Sequence, residues 1–117
     1  MAVKVLDDGP IPHADIDRYD DPGIETGLER SGYDAKRVVY RLLEIDLGDI
    51  KDTRWFPAHI RPNSDMVGAL RRGELLPPVV VVRRAGAESF GLIDGLNRTF
   101  AHWLVGLPKI RAYELIG

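Results

Sequence analysis

The sequence predicts a small α+β domain, and three observations carry that prediction. From Val38 onward, short β-branched runs alternate with stretches of helical spacing, in the order strand, loop, helix, strand, strand, helix, strand. Four consecutive valines at 79–82 follow two prolines, the mark of a strand buried on both faces. A second apolar run, "FGLID", breaks at Gly95 and opens into a helical pattern. The chain has 117 residues, 44% of them hydrophobic and 29% charged, which suits one soluble domain with its own core.

The elements follow in order. Residues 1–34 are rich in Asp, Gly and Pro, and Pro10, Pro12 and Pro22 exclude a continuous helix through them. A short helical turn is expected near Ile24–Arg30. Residues 1–37 read as an acidic N-terminal extension, packed over a domain at 38–117 or partly mobile. "VVYRLLEIDL" gives a strand over Val39–Ile45. "GDIKDTRWFPAHIRPNSD" is a long loop, of the kind that often carries function. Ser64 is the expected N-cap of a helix in which Met66, Val67 and Leu70 share a face, with Gly73 as its stop. The valine strand, a hairpin connection "RAGAES" and the return strand "SFGLID" come next. A helix is expected from Arg98 to Val105, with Phe100, Ala101, Trp103, Leu104 and Leu107 on one apolar face. Gly106 and Pro108 would end it, and "IRAYEL" is the last strand.

Charge and composition narrow the function. Residues 1–34 carry nine acids against three bases, while residues 35–117 carry nine acids against thirteen bases. A basic body behind an acidic leader suggests an anionic partner, and it also suits two ordinary solvated surfaces. The absence of cysteine removes disulfides, thiolate metal sites and any cysteine nucleophile. No apolar run is long enough for a membrane span and no secretory leader is visible, so a cytoplasmic protein with no membrane partner is expected.

The strand-to-helix junction "FGLIDGLNRT" holds the chemistry of greatest interest. A helix N-terminus presents unpaired N–H groups and a partial positive charge, and both attract anions. Gly95 would let a phosphate approach the backbone, Asn97 would cap the helix, Arg98 offers a planar fork and Thr99 a hydroxyl. Asp94 would hold the loop, or orient a ribose or a metal. The same residues also suit an ordinary turn with Gly for geometry and Asn for capping.

The run "LLPPVVVV…FGLIDGLNRTFAHWLVGLPKIRAYEL" resembles the ParB/sulfiredoxin superfamily over roughly residues 38–117. Pro78–Val82 match its valine-rich strand, Ile93, Asp94, Gly95 and Arg98 its glycine–arginine turn, and Phe100–Gly106 its helix. The resemblance implies a mixed sheet with helices packed on it and a strand-turn-helix phosphate-binding motif. It also implies a nucleotide, ATP, ADP or CTP, with Mg as a possible companion. Gly95, Asn97, Arg98 and Thr99 would contact the phosphates, with Arg54 reaching in from the long loop. Many relatives carry His or Arg where this chain has Asn97. Sulfiredoxins need a cysteine in the turn, so their reductase chemistry is not expected. ParB proteins follow this domain with a helix-turn-helix domain; the sequence ends at Gly117, and DNA binding of that kind is not expected. Free-serine kinases of the superfamily use an acid near the first loop, where Asp49 and Asp52 lie. Asp52 and Asp94 are the candidate catalytic groups.

Other groups have two readings each. "KDTRWFPAHIRP" mixes Lys51, Arg54, His59 and Arg61 with Trp55 and Phe56, which suits stacking on a nucleobase or single strand, or aromatics in the core under solvated charges. His13, Asp15 and Asp17 fit a divalent-ion set or a polar turn. His102 lies four residues after Arg98, to support the phosphate site or sit on the helix surface. The pairs Arg71/Arg72 and Arg83/Arg84 are expected to be solvated or to line a cleft. Three functions fit these readings. One is a nucleotide-dependent phosphotransferase or switch. Another is a non-catalytic, antitoxin-like interaction module whose acidic segment contacts a protein partner. The third is a nuclease acting on nucleic acid.

Overall fold

Alternation along three neighbouring strands builds two cores on opposite faces of one sheet. The computed structural model describes residues 3–17, 23–51, 63–83 and 89–117. Within them run β1 (Val3–Pro12), α1 (Gly23–Arg30), β2 (Val39–Asp46), α2 (Ser64–Arg71), β3 (Val79–Arg83), β4 (Phe90–Asp94), α3 (Leu96–Val105) and β5 (Lys109–Leu115). The strands form one sheet in the order β1-β2-β5-β3-β4. Only the β3–β5 pairing is parallel among the described strands, so the sheet is mixed. This is the α+β architecture expected from the order of elements.

Leu43 and Ile45 of β2, Ile110 and Ala112 of β5, and Val79 and Val81 of β3 form one core. The alternate residues Tyr40, Tyr113, Leu115 and Val80 form the other. The valine strand is therefore buried on both faces, and its β-branched side chains suit that position. Leu47 and Ile50, just past β2, close the first core, and Ile50 makes a parallel bridge to Phe90. Ile24 and Leu28 of α1 close the second with Ile16 and Val38. A third cluster joins Met66 and Leu70 of α2 to Leu76 and to Ala101 of α3.

The N-terminal residues are part of the sheet rather than a cover for it. β1 pairs along β2 from Val3 opposite Ile45 to Pro12 opposite Val39, with two register shifts. Its side chains are mostly exposed because it is an edge strand. Proline and acidic residues are tolerated there, and they hid the strand in the sequence. The helical turn expected near Ile24–Arg30 is α1.

Two caps differ from expectation. Asn63, not Ser64, caps α2, its Oδ1 accepting from the N–H groups of Asp65 and Met66 at 3.1 Å each. Helix α3 begins at Leu96, two residues before Arg98. Gly106 takes the left-handed exit from α3 as expected, at φ 83°. The apolar face of α3 is only partly the expected one: Phe100 and Ala101 are buried, but Trp103 and Leu104 are 45% and 39% exposed, while Arg98 and Thr99 are buried. Apolar periodicity missed this, since two polar residues occupy the packed side.

A buried carboxylate ties three strands together. Glu114 on β5 is 3% exposed, and it accepts from Arg41 Nε of β2 at 2.5 Å and from Arg83 Nε of β3 at 3.0 Å. Arg83, expected to be solvated with Arg84, also lies over the Phe90 ring at 5.1 Å. Arg84 lies outside the described residues.

Because α1 closes a core, Leu28→Ala is expected to cost about 2–5 kcal/mol of unfolding free energy in a urea titration. A mere surface extension would tolerate the change with almost no loss.

Candidate functional site

Gly95 fixes how β4 becomes α3. It sits at φ 110° and ψ 28° as the N-cap residue, in the left-handed region. A Cβ there would lie 2.8 Å from Val79 Cβ and 3.1 Å from Arg98 Nη2, so the position has no room for a side chain. The glycine is required by conformation and by packing, whatever binds nearby. The cap residue itself has no side chain to accept from the first turn. Asn97, expected to cap the helix, stands inside the first turn and is exposed. The first intrahelical bond runs from the Thr99 N–H to the Gly95 carbonyl at 2.9 Å. The N–H groups of the residues before Thr99 therefore stand at the open end of the helix. There is no acidic residue in that first turn.

Arg98 turns inward. It is 3% exposed, with Nη1 donating to the carbonyls of Pro78 at 2.6 Å and Pro77 at 3.1 Å, and Nη2 to Asp94 Oδ2 at 2.8 Å. The guanidinium thus clamps the entry to β3, the end of β4 and the start of α3 together. Asp94 is its ion-pair partner one helical turn back. The Thr99 hydroxyl donates to the Gly95 carbonyl at 2.8 Å, and the residue is buried. The structure brings Asp94, Gly95, Asn97, Arg98 and Thr99 into one turn. Asn97 is the one of them with an exposed side chain. Asp52 and Arg54, with the rest of "KDTRWFPAHIRP" beyond Lys51, lie outside the described residues.

Asp49 lies in a short turn, Leu47–Asp49, that packs against α3. Its Oδ2 is buried and has no hydrogen-bond partner among the described residues. His13 meets Tyr40 Oη at 2.8 Å and Glu25 Oε1 at 3.3 Å, tying β1 to α1 and β2. Among the described residues no group of three or more His, Asp or Glu side chains is placed to hold a metal ion.

His102 stands one turn beyond Arg98. Its Nδ1 lies 2.7 Å from the Arg98 carbonyl. A carbonyl only accepts, so Nδ1 carries the proton and Nε2 is left as an acceptor. Burial holds the His102 pKa below the ordinary 6.5, the Arg98 carbonyl opposes this, and the Arg111 and Arg98 charges add to it. The ring lines a cavity of about 370 Å³ between α2, the 73–77 segment, α3 and the start of β5. None of residues 94–99 lines that cavity. Sequence reading gave no sign of it, because it is formed where residues distant in the chain meet.

No protein-family model matches the chain, and no curated protein sequence matches it. Solved structures do match. Sulfiredoxin from Arabidopsis thaliana superposes with a TM-score of 0.54 at 24% identity, covering 65% of this chain and 85% of that one. A Pnob8-like ParB-N domain gives 0.52 at 18% identity, covering 69% and 32%. The C-terminally truncated chromosome-partitioning protein ParB from Caulobacter crescentus, complexed with CTP-gamma-S, gives 0.50 at 17% identity, covering 62% and 43%. The chain therefore has the ParB/sulfiredoxin-like fold, and it spans less than half the length of either ParB chain.

Two outcomes follow for this turn. Arg98→Ala leaves Asp94 and two buried carbonyls without their donor and is expected to cost about 3–5 kcal/mol in chemical denaturation. His102 binds its proton more weakly folded than unfolded, so folding loses stability as pH falls below 6.5. His102→Gln is therefore expected to reduce the drop in melting temperature between about pH 7.5 and about pH 5.5.

Proposed function

We propose that this chain is a nucleotide-binding domain that holds phosphates at the N-terminal turn of α3. The observation that carries this reading is a first turn whose cap residue is a glycine without a side chain, with exposed Leu96 and Asn97 and no acid in it. Backbone N–H groups of that turn and the helix dipole are the donors a phosphate needs. The Asn97 amide adds a side-chain donor at the rim. Arg98 serves the phosphates indirectly, by fixing the turn from behind, and Thr99 does the same by holding the Gly95 carbonyl. Arg54, outside the described residues, is a further candidate contact on the resemblance alone.

The Caulobacter ParB is complexed with CTP-gamma-S, which supports a nucleoside triphosphate as the ligand class. ATP, ADP and CTP are the candidates, and Mg would be carried chiefly by their phosphates. A nucleotide-gated switch is favoured over phosphotransfer or nuclease action. Asp94, a candidate base, is already ion-paired with Arg98, whereas a switch needs no base. Asp52 remains the catalytic candidate if transfer occurs. A second reading, an interaction module, draws on the exposed edge strand β1 with Asp7 and Asp8 facing solvent.

Asn97→Asp separates structure from binding. An acid in the first turn is expected to stabilise α3 by about 0.3–1 kcal/mol. It should weaken nucleotide binding by about tenfold through repulsion, or about 1.4 kcal/mol. Calorimetric titration of ATP, ADP, CTP and GTP, with and without magnesium, on wild type and variant checks both. Unchanged affinity in the variant moves the phosphate site elsewhere. Silence from every nucleotide leaves the interaction module as the reading.

A further inference from the structure

The nucleotide reading does not use the cavity beside His102. Its volume of about 370 Å³ lies in the range of small-molecule sites, about 300–1,000 Å³. One wall is apolar, made by Leu70, Leu75, Leu76 and Leu107. Leu75 is 74% exposed, an unusual place for a leucine without a covering partner. The opposite wall carries both signs of charge.

Glu44 of β2 and Arg111 of β5 are the central pair. They stand directly opposite each other in the strand register, and both line the cavity. Cross-strand partners of opposite charge are close enough to pair. Yet among the described residues Glu44 has no hydrogen-bond or ion-pair partner, and Arg111 makes one hydrogen bond, from Nη2 to the Leu76 carbonyl at 2.7 Å. The remaining charged liners are committed: Lys109 to Asp46, and Glu74 to Arg72 Nε at 2.5 Å. Nε2 of His102 adds an acceptor with no protein partner among the described residues.

An acid and a base side by side but not paired with each other, next to an apolar wall, match a ligand with an ammonium and a carboxylate on one carbon and an apolar tail. We propose that this cavity is a second ligand site for a free apolar α-amino acid. Its ammonium would be held by Glu44 and His102 Nε2, its carboxylate by Arg111, and its side chain against Leu70, Leu75 and Leu107. The lining balances Glu44 and Glu74 with Lys109 and Arg111. That balance suits a zwitterion and not the several negative charges of a nucleoside triphosphate. The site stands apart from the α3 turn and does not depend on the nucleotide reading.

Calorimetric titration of the full chain with L-leucine, L-methionine and L-phenylalanine tests it, with leucinamide and N-acetyl-leucine as probes lacking one charge. At least one free amino acid should saturate at millimolar concentration or below. Each single-charge analogue of leucine should bind about tenfold more weakly than leucine. A peptide terminus, which carries one charge, would behave as the analogues do. Glu44→Gln and His102→Ala, checked as folded by circular dichroism, should each weaken amino-acid binding by about tenfold. Asn97→Asp should leave it unchanged. The proposal is overturned if none of the three amino acids binds, if the analogues bind as tightly, or if both cavity variants retain full affinity.

Discussion

Arg98 carries its charge into the interior, and the rest of the strand-to-helix unit is arranged around that fact. A guanidinium without partners there would be strongly destabilising, since burial removes its water and nothing else in a protein interior replaces it cheaply. Three acceptors from two places in the chain supply the replacement: the Pro77 and Pro78 carbonyls ahead of β3, and the Asp94 carboxylate at the end of β4. The helix can therefore sit in one position only relative to those two strands. Gly95 follows from the same constraint, because a Cβ would meet both Val79 and the guanidinium. His102 follows too, since its proton is fixed by the carbonyl of Arg98 itself.

This constraint changes how the turn relates to an anion. The residues that look most like phosphate ligands on paper are held by the protein: Arg98 by three acceptors, Thr99 by the Gly95 carbonyl, Asp94 by Arg98. What remains open at the surface is backbone, together with the Asn97 amide. Backbone donors lack the charge of a side chain, but they are rigid, and a rigid donor loses little entropy when it binds. The bracing by Arg98 is what makes them rigid. Structure and proposed chemistry thus lie on successive links of one chain of cause: buried ion pair, fixed turn, ordered N–H groups.

Much of the fold was legible because its signals are local. The valine strand, the "FGLID" return strand, the glycine exit at Gly106 and the last strand each announce themselves within ten residues. The edge strand β1 did not, since its burial is slight and its prolines and aspartates resemble a loop. The register of Tyr40 against Leu115, or of Glu44 against Arg111, depends on pairing across the chain and leaves no local trace. In the turn, sequence identified the right residues as special. It could not tell an arginine aimed at solvent from one aimed at Pro78, because both need the same Asp-Gly-x-x-Arg spacing.

The two faces of α3 now carry separable chemistry. No acid stands in the first turn at its N-terminus, where the helix dipole favours an anion. One turn later, His102 stands with its Nδ1 on the Arg98 carbonyl and its pKa held below the ordinary value by burial, beside a cavity balanced in charge. Arg98 links the two through its own atoms, its side chain fixing the turn and its carbonyl fixing the histidine. A shift of α3 along its axis would loosen the guanidinium clamp and move His102 against Glu44 and Arg111 together.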